Sequence, residues 1–132
     1  MNSKAFNNEK FNKYSVEAKE KWGRTEQYKE YEEKNKNRSK QEFEKINEKF
    51  MNIFVELGEL KNLTVEDEKV QEKIKTLKEY ITENYYICTH ETLRSLGQMY
   101  INDERFKRNI DEAGGEGTAE FVSQAIASYC SK

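Results

Sequence analysis

Cys88 is the residue of this sequence whose surroundings best suit covalent chemistry. It precedes Thr89, a good helix N-cap, and the apolar positions Leu93 and Leu96 of a predicted helix. A thiol at a helix N-terminus lies near unpaired N–H groups and the positive end of the helix dipole, which lowers its pKa. The pattern therefore predicts a nucleophilic thiol. Because unpaired cysteines are often inert buried residues, that alternative stays open.

The neighbouring histidine does not complete a metal or hydrolase site. His90 is the only histidine in the chain, and the Cys88-x-His90 spacing supplies two ligands where a structural zinc site needs four. Residues two apart on a helix do not face each other, and no nucleophile-elbow motif is present. We therefore predict no metal, no cofactor and no catalytic residue. His90 is interpreted as a polar first-turn residue at the mouth of a ligand pocket. Cys130 is interpreted as a packing residue or part of a frayed terminus.

Composition limits the class of protein. A chain of 132 residues with 35% hydrophobic residues fits one domain with a modest core. The 23 basic and 25 acidic residues leave a net charge of -2, so no direct contact with nucleic acid is expected from this chain. No apolar run approaches the roughly 20 residues that span a bilayer, and the N-terminus is polar. The sequence predicts a cytoplasmic protein with no membrane contact and two reduced thiols.

The sequence predicts an all-α fold. It contains no proline and is rich in Glu, Lys, Gln and Leu, which are good helix formers. Apolar residues spaced three and four apart predict five helices from about residue 40 onward. Their predicted starts are a capping box at Ser39 to Glu42, the N-caps Thr64, Thr89 and Asp103, and a glycine-rich turn at residues 114–117.

Residues 1–38 differ from residues 39–132, which are predicted to form the helical ligand-recognition core. The first part contains no Leu or Ile and one Val, but it carries six aromatic residues, among them Trp22, Tyr28 and Tyr31. Aromatic residues at helical spacing predict short helical stripes that need a surface to pack on. This segment either docks on the core as an ordinary helix or is mobile and orders over a bound ligand.

The run from Leu96 to Phe106 carries a family resemblance. It reads Leu-Gly-Gln-Met-Tyr-Ile-Asn-Asp-Glu-Arg-Phe and follows Tyr-Tyr-Ile-Cys-Thr-His at residues 85–90. Gly97 lies within a predicted helix, where glycine costs about 1 kcal/mol relative to alanine, so it predicts close approach of another helix or of a ligand. Together these motifs resemble the TipAS antibiotic-recognition domain, the effector domain of some MerR-type transcriptional regulators. The resemblance covers about residues 22–129, with a mild departure at Glu104, where the family often has proline.

The resemblance implies a globin-like helical bundle, and periodicity gives its count of about five core helices, beside an N-terminal helical segment. It also implies that Cys88 adds to the dehydroalanine unit of thiopeptide antibiotics and forms a thioether. We predict a binding protein without turnover that encloses thiopeptide-like or other hydrophobic polycyclic compounds in an aromatic cleft. The predicted ligand-binding residues are Cys88, Trp22, Tyr28, Phe50, Phe54, Tyr85, His90 and Met99.

Regulators of this family place a winged helix-turn-helix and a dimerisation helix ahead of the effector domain. The sequence is expected to lack both, either as a stand-alone antibiotic-binding protein or as the effector part of a longer regulator. Three other classes stay open: a helical protein-protein interaction module, a cysteine-dependent enzyme and a redox-sensing thiol protein.

Overall fold

The computed structural model describes residues 26–131, so the predicted ligand-binding residue Trp22 lies outside the described part. Within it the chain forms only helices, and none is long and apolar enough to cross a membrane. The all-α prediction is confirmed, as are the five helices after residue 40. The helices are α1 (Glu26–Asn35), α2 (Lys40–Glu59), α3 (Glu68–Asn84), α4 (His90–Asn102), α5 (Glu104–Gly114) and α6 (Thr118–Cys130).

Local side-chain caps set most helix starts. The capping box before α2 is formed as predicted, because Glu42 N donates to Ser39 Oγ at 3.1 Å and Ser39 N donates to Glu42 Oε1 at 3.1 Å. The predicted cap of α3 is wrong. Asp67, not Thr64, caps that helix by accepting from Lys69 N at 2.9 Å. Thr64 instead closes a turn, with its carbonyl oxygen accepting from Asp67 N, and this turn moves the helix start three residues along the chain.

Two short junctions orient the last three helices. Asp103 ends α4 and caps α5, accepting from Arg105 N at 3.0 Å, as predicted. The turn before α6 needs glycine, since Gly115 and Gly117 have φ values of 99° and 88°. These junctions fold α4, α5 and α6 against one another, and the most extensive contact of the fold is that between α4 and α6.

Two glycines allow these helices to approach closely. A Cβ on Gly97 would lie 3.1 Å from Ile126 Cγ2, so α4 packs against α6 at this point, as predicted for Gly97. A Cβ on Gly58 would overlap the Gly114 carbonyl oxygen and lie 2.6 Å from Gly114 Cα, so α2 and α5 meet backbone to backbone. The core between the helices is continuous. Its fully buried members include Phe54, Leu57, Val70, Ile74, Leu77, Ile81, Leu93, Tyr100, Ile110, Val122 and Ile126.

Candidate functional site

A chain of contacting rings links α1 to the centre of the core. From the outside inward, Tyr28 contacts Tyr31 at a centroid distance of 5.9 Å, and Tyr31 contacts Tyr85 at 6.0 Å. Tyr85 contacts Phe50 at 5.4 Å, and Phe50 contacts Phe54 at 5.2 Å in an edge-to-face arrangement. Aromatic pairs at these separations stabilise the packing beyond the area that they bury. We call the aromatic cluster the set formed by Tyr28, Tyr31, Phe50, Phe54, Tyr80, Tyr85, Tyr100 and Phe106.

The predicted cleft residues occupy different depths in the molecule. Tyr28 and Phe50 are half-buried members of the aromatic cluster. Phe54 and Tyr85 belong to the same cluster but are only 1% and 7% exposed, so in this structure both side chains are part of the core. Met99 is half-buried on α4 and packs against the core. Four of the predicted residues are therefore brought together, with Tyr85 connecting the outer rings to the inner ones.

Tyr85 also begins the loop that carries Cys88. We call residues 85–89, between α3 and α4, the cysteine loop. The α1 helix and the segment after it hold this loop, because Glu30 Oε2 accepts from Ile87 N at 3.3 Å and Arg38 Nη1 donates to the carbonyl oxygen of Asn84 at 2.8 Å. Ile87 is 57% exposed, whereas Cys88 beside it is buried. The loop thus joins the aromatic cluster to the thiol.

Cys88 is the buried residue of the cysteine loop. Thr89 caps α4 as predicted, accepting from Thr92 N at 3.1 Å. The Cys88 backbone N–H donates to Thr82 Oγ1 at 3.0 Å, and its thiol donates weakly to the Thr89 carbonyl oxygen at 3.8 Å. The side chain is 1% exposed. The helix start therefore holds the thiol at the predicted place but away from solvent.

Burial controls the ionisation of this thiol. It raises the pKa of Cys88 to about 11, the nearby Lys78 ammonium lowers that pKa by a smaller amount, and Cys130 raises it. The predicted lowering by the helix N-terminus is wrong for the protein in this structure, because loss of hydration disfavours the thiolate more than the local charges favour it. Cys88 has here the character of a small buried apolar residue.

The far end of α6 lies against the start of α4. The Cys130 thiol donates to the His90 carbonyl oxygen at 3.3 Å, and Arg94 Nη2 donates to the Cys130 carbonyl oxygen at 3.1 Å. Cys130 is buried, so it is a packing residue rather than part of a frayed end. His90 is exposed, and its ring stacks on Tyr129 at a centroid distance of 5.5 Å and an interplanar angle of 12°. The polar first-turn position predicted for His90 is confirmed.

Asn47 is a buried polar residue that the sequence reasoning missed. It is 1% exposed, and its Oδ1 accepts from the Tyr85 hydroxyl at 2.5 Å. Its amide nitrogen Nδ2 has no acceptor within residues 26–131. One sequence signal could have indicated it: Asn47 interrupts the apolar stripe of α2, one turn before Phe50. The aromatic cluster therefore contains an amide held by one of its tyrosines.

A concave surface lies along the N-terminal half of α3, away from the aromatic cluster. It encloses about 510 Å³ and is lined by Leu60, Glu68, Lys69, Glu72, Lys73 and Thr76. Five of these six residues are polar or charged, and none of the predicted ligand-binding residues is among them. Within residues 26–131 no group of three His, Cys, Asp or Glu side chains is placed to hold a metal ion.

Comparisons with known proteins identify the family. A family model described as the TipAS antibiotic-recognition domain matches residues 14–129. The HTH-type transcriptional activator TipA of Streptomyces coelicolor is 32% identical over 116 residues, which are 86% of this chain and 45% of that protein. The HTH-type transcriptional activator mta of Bacillus subtilis is 38% identical over 65 residues, which are 49% of this chain and 25% of that protein. The chain spans about half the length of the TipA relatives that it matches.

A solved structure gives the same assignment. It is TipAS of Streptomyces lividans in complex with nosiheptide, from a thiopeptide antibiotic multidrug resistance system. The two structures agree with a TM-score of 0.77 at 30% sequence identity, over 91% of this chain and 85% of the other. This likeness confirms the predicted globin-like helical fold. The chain belongs to the TipAS antibiotic-recognition domain family.

Proposed function

We propose that this chain recognises thiopeptide-like or other hydrophobic polycyclic compounds in an aromatic cleft, with Cys88 as the point of covalent attachment for electrophilic ligands. The observation that carries the proposal is the direct link between the aromatic cluster and the cysteine loop, made by Tyr85. Flat apolar ligands suit such a surface because ring-on-ring contacts bury large areas. The proposed cleft residues are Cys88, Trp22, Tyr28, Phe50, Phe54, Tyr85, His90 and Met99.

The proposed covalent step is an addition with no leaving group. The Cys88 sulfur, after losing its proton to solvent, forms a bond with the methylene carbon of a dehydroalanine residue. The π electrons move to the α-carbon, which takes a proton from solvent, so the product is a thioether. Since the thiol is 1% exposed, the ligand must first bind and open the cysteine loop. The domain consumes one equivalent of ligand and has no turnover, in accord with a binding protein rather than an enzyme.

The proposal includes the ligand lid that the sequence predicts. Residues 39–132 are proposed as the recognition core and residues 1–38 as a segment that closes over the ligand. The contacts of α1 with the cysteine loop, through Glu30 and through the ring of Tyr31, support this division. DNA binding and dimerisation are proposed to belong to other parts of a regulator, and the place of action to be the cytoplasm.

The test combines intact-mass measurement of the adduct with protection of residues 1–40 from protease. The protein is incubated with a dehydroalanine-containing thiopeptide, and the intact mass is measured for the wild type, Cys88→Ser and the matched control Cys130→Ser. We expect one adduct on the wild type and on Cys130→Ser, no adduct on Cys88→Ser, and protection of residues 1–40 from protease in all three. Absence of both adduct and protection would refute the proposal. Protection without an adduct would reduce it to reversible recognition.

The alternatives predict different results in the same samples. An interaction module would dimerise without ligand, which analytical ultracentrifugation of the purified chain detects. A redox sensor would change its helix content when Cys88 is oxidised by peroxide, which circular dichroism detects. The described contacts favour neither, since Ile87 is a single exposed apolar side chain and both cysteines are buried as free thiols.

A further inference from the structure

The aromatic cluster contains one polar group whose hydrogen-bonding capacity is only half used. Asn47 is 1% exposed on α2, and the Tyr85 hydroxyl donates to its Oδ1 at 2.5 Å. Burial raises the pKa of Tyr85 well above its ordinary value, so this phenol stays protonated and remains a donor. The amide is thereby oriented, and its Nδ2 is left as the open donor, without an acceptor within residues 26–131.

Such a donor is costly for the fold. Leaving a buried N–H group unpaired lowers the stability of a fold, and native proteins contain few such groups. A leucine of similar size would fill the same space without that cost. The hydrogen bond with Tyr85 does not by itself explain the amide. With phenylalanine at position 85 there would be no buried hydroxyl, and position 47 would not need to supply an acceptor.

The other half-used buried amide in the described part of the chain has a structural explanation. Gln71 Nε2 donates to the carbonyl oxygens of Val65 and Ala125 at 2.7 and 3.3 Å, and only its Oε1 lacks a partner. Its amide therefore connects the loop before α3 to α6. Asn47 differs because its unpaired group is the Nδ2 donor, and buried donors without a partner are rarer than buried acceptors without one.

The surroundings of Asn47 show which chemistry would pair with it. The ring of Tyr85 meets Phe50 at 5.4 Å, Tyr80 at 6.4 Å and Tyr31 at 6.0 Å. Tyr31 belongs to α1, so displacement of α1 would remove this ring from Tyr85. A flat aromatic group in the place of Tyr31 would contact the ring of Tyr85, whose hydroxyl holds the Asn47 amide.

We propose that Asn47, oriented by Tyr85, is a specificity-determining residue of the cleft, and that its Nδ2 donates to a ring nitrogen or amide oxygen on a flat aromatic ligand. This inference rests on the proposed ligand recognition and adds to it a polar requirement. A purely hydrocarbon polycycle would leave the donor unpaired and would bind more weakly. A site that pairs a buried polar group with its ligand discriminates strongly against ligands that lack the partner.

The test separates binding from folding. Asn47→Leu/Tyr85→Phe removes both members of the pair, so no partner is left unsatisfied. Reversible affinity for nosiheptide is measured by fluorescence titration in a Cys88→Ser background, and urea midpoints are measured by circular dichroism. We expect a midpoint no lower than that of the Cys88→Ser parent and an affinity about tenfold weaker, which corresponds to one lost hydrogen bond. Gln71→Leu is the matched control, with a lower midpoint and unchanged affinity.

Each outcome decides one question. Equal affinity of the double variant and its parent would overturn the role of Asn47 and leave the proposed function intact. No binding of nosiheptide by the parent would overturn the proposed function itself, and the role of Asn47 with it. If the double variant does not fold, Asn47→Leu alone is titrated in its place, with the same tenfold loss expected and equal affinity again overturning the inference.

Discussion

The buried thiol makes a quantitative prediction about alkylation of the ligand-free protein. With a pKa of about 11, about 1 in 3,000 Cys88 thiols is ionised at pH 7.5, against about 1 in 10 for a peptide cysteine with a pKa near 8.5. This is a deficit of about 300-fold in thiolate. A more basic thiolate is a better nucleophile, which recovers about tenfold. Cys88 should therefore react at least about 30-fold more slowly than a peptide cysteine, and burial slows it further.

The assay is alkylation by iodoacetamide between pH 7 and 9.5, with the modified residue identified by peptide mapping. We expect the alkylation rate at Cys88 to rise about tenfold per pH unit over the whole range, because the pH of the assay stays below the pKa of the thiol throughout. The same protein unfolded in urea is the reference, and its rate should level off near pH 9. The variant Cys130→Ser removes the second thiol and should leave the Cys88 profile unchanged.

Two results would refute this reasoning. A rate at Cys88 that levels off below pH 8 would mean that the helix N-terminus dominates burial and that the thiol is already poised in the free protein. Equal rates in native and unfolded samples would mean that the cysteine loop is open in solution. Either result would remove the argument that ligand binding must precede the covalent step.

Three further predictions follow from single contacts. Lys78→Met should slow alkylation of Cys88 about two- to fivefold at pH 8.5, since the ammonium lowers the thiol pKa; Lys78→Arg should restore the rate, and an unchanged rate in the methionine variant would contradict the prediction. Gly58→Ala places its Cβ 2.6 Å from Gly114 Cα and should cost about 2 kcal/mol net of the gain in helix propensity, read from urea midpoints; a stabilised variant would count against it. Burial raises the pKa of Tyr100 well above its ordinary value, so its contribution to stability is present below pH 10 and lost as pH rises above it; melting temperatures of Tyr100→Phe should fall less between pH 10 and 11 than those of the wild type.

Much of the fold could be predicted because the interactions that start its helices join residues close together in the sequence. The caps at Ser39, Thr89 and Asp103 are formed with residues two or three positions away, so the sequence contains both partners of each hydrogen bond. The predicted cap Thr64 is wrong because Asp67, an equally good cap, lies three residues later, and only the turn between them decides which one starts the helix. Gly97 could be interpreted because glycine in a helix is unfavourable without a packing reason.

The site could be predicted less well because its properties are non-local. The hydrogen bond between Asn47 and Tyr85 joins residues 38 positions apart, so no local pattern reveals it. The pKa of Cys88 depends on packing against other helices, which outweighs the helix-start position that the sequence does show. Periodicity gives the apolar face of each helix, but it does not separate cluster residues near the surface, such as Tyr28, from those in the core, such as Phe54.

Under the proposed function, burial of Cys88 and recognition by the aromatic cluster are two parts of one mechanism. The cysteine loop is only five residues long, and Tyr85 at its start packs in the cluster while Cys88 lies buried near its end. A ligand that displaces Tyr31 from Tyr85 therefore acts on the same short segment that carries the buried thiol. Small electrophiles that cannot engage the rings would meet a protonated, inaccessible thiol. Covalent capture would then depend on ring recognition first, which gives selectivity to a nucleophile that has no orienting triad.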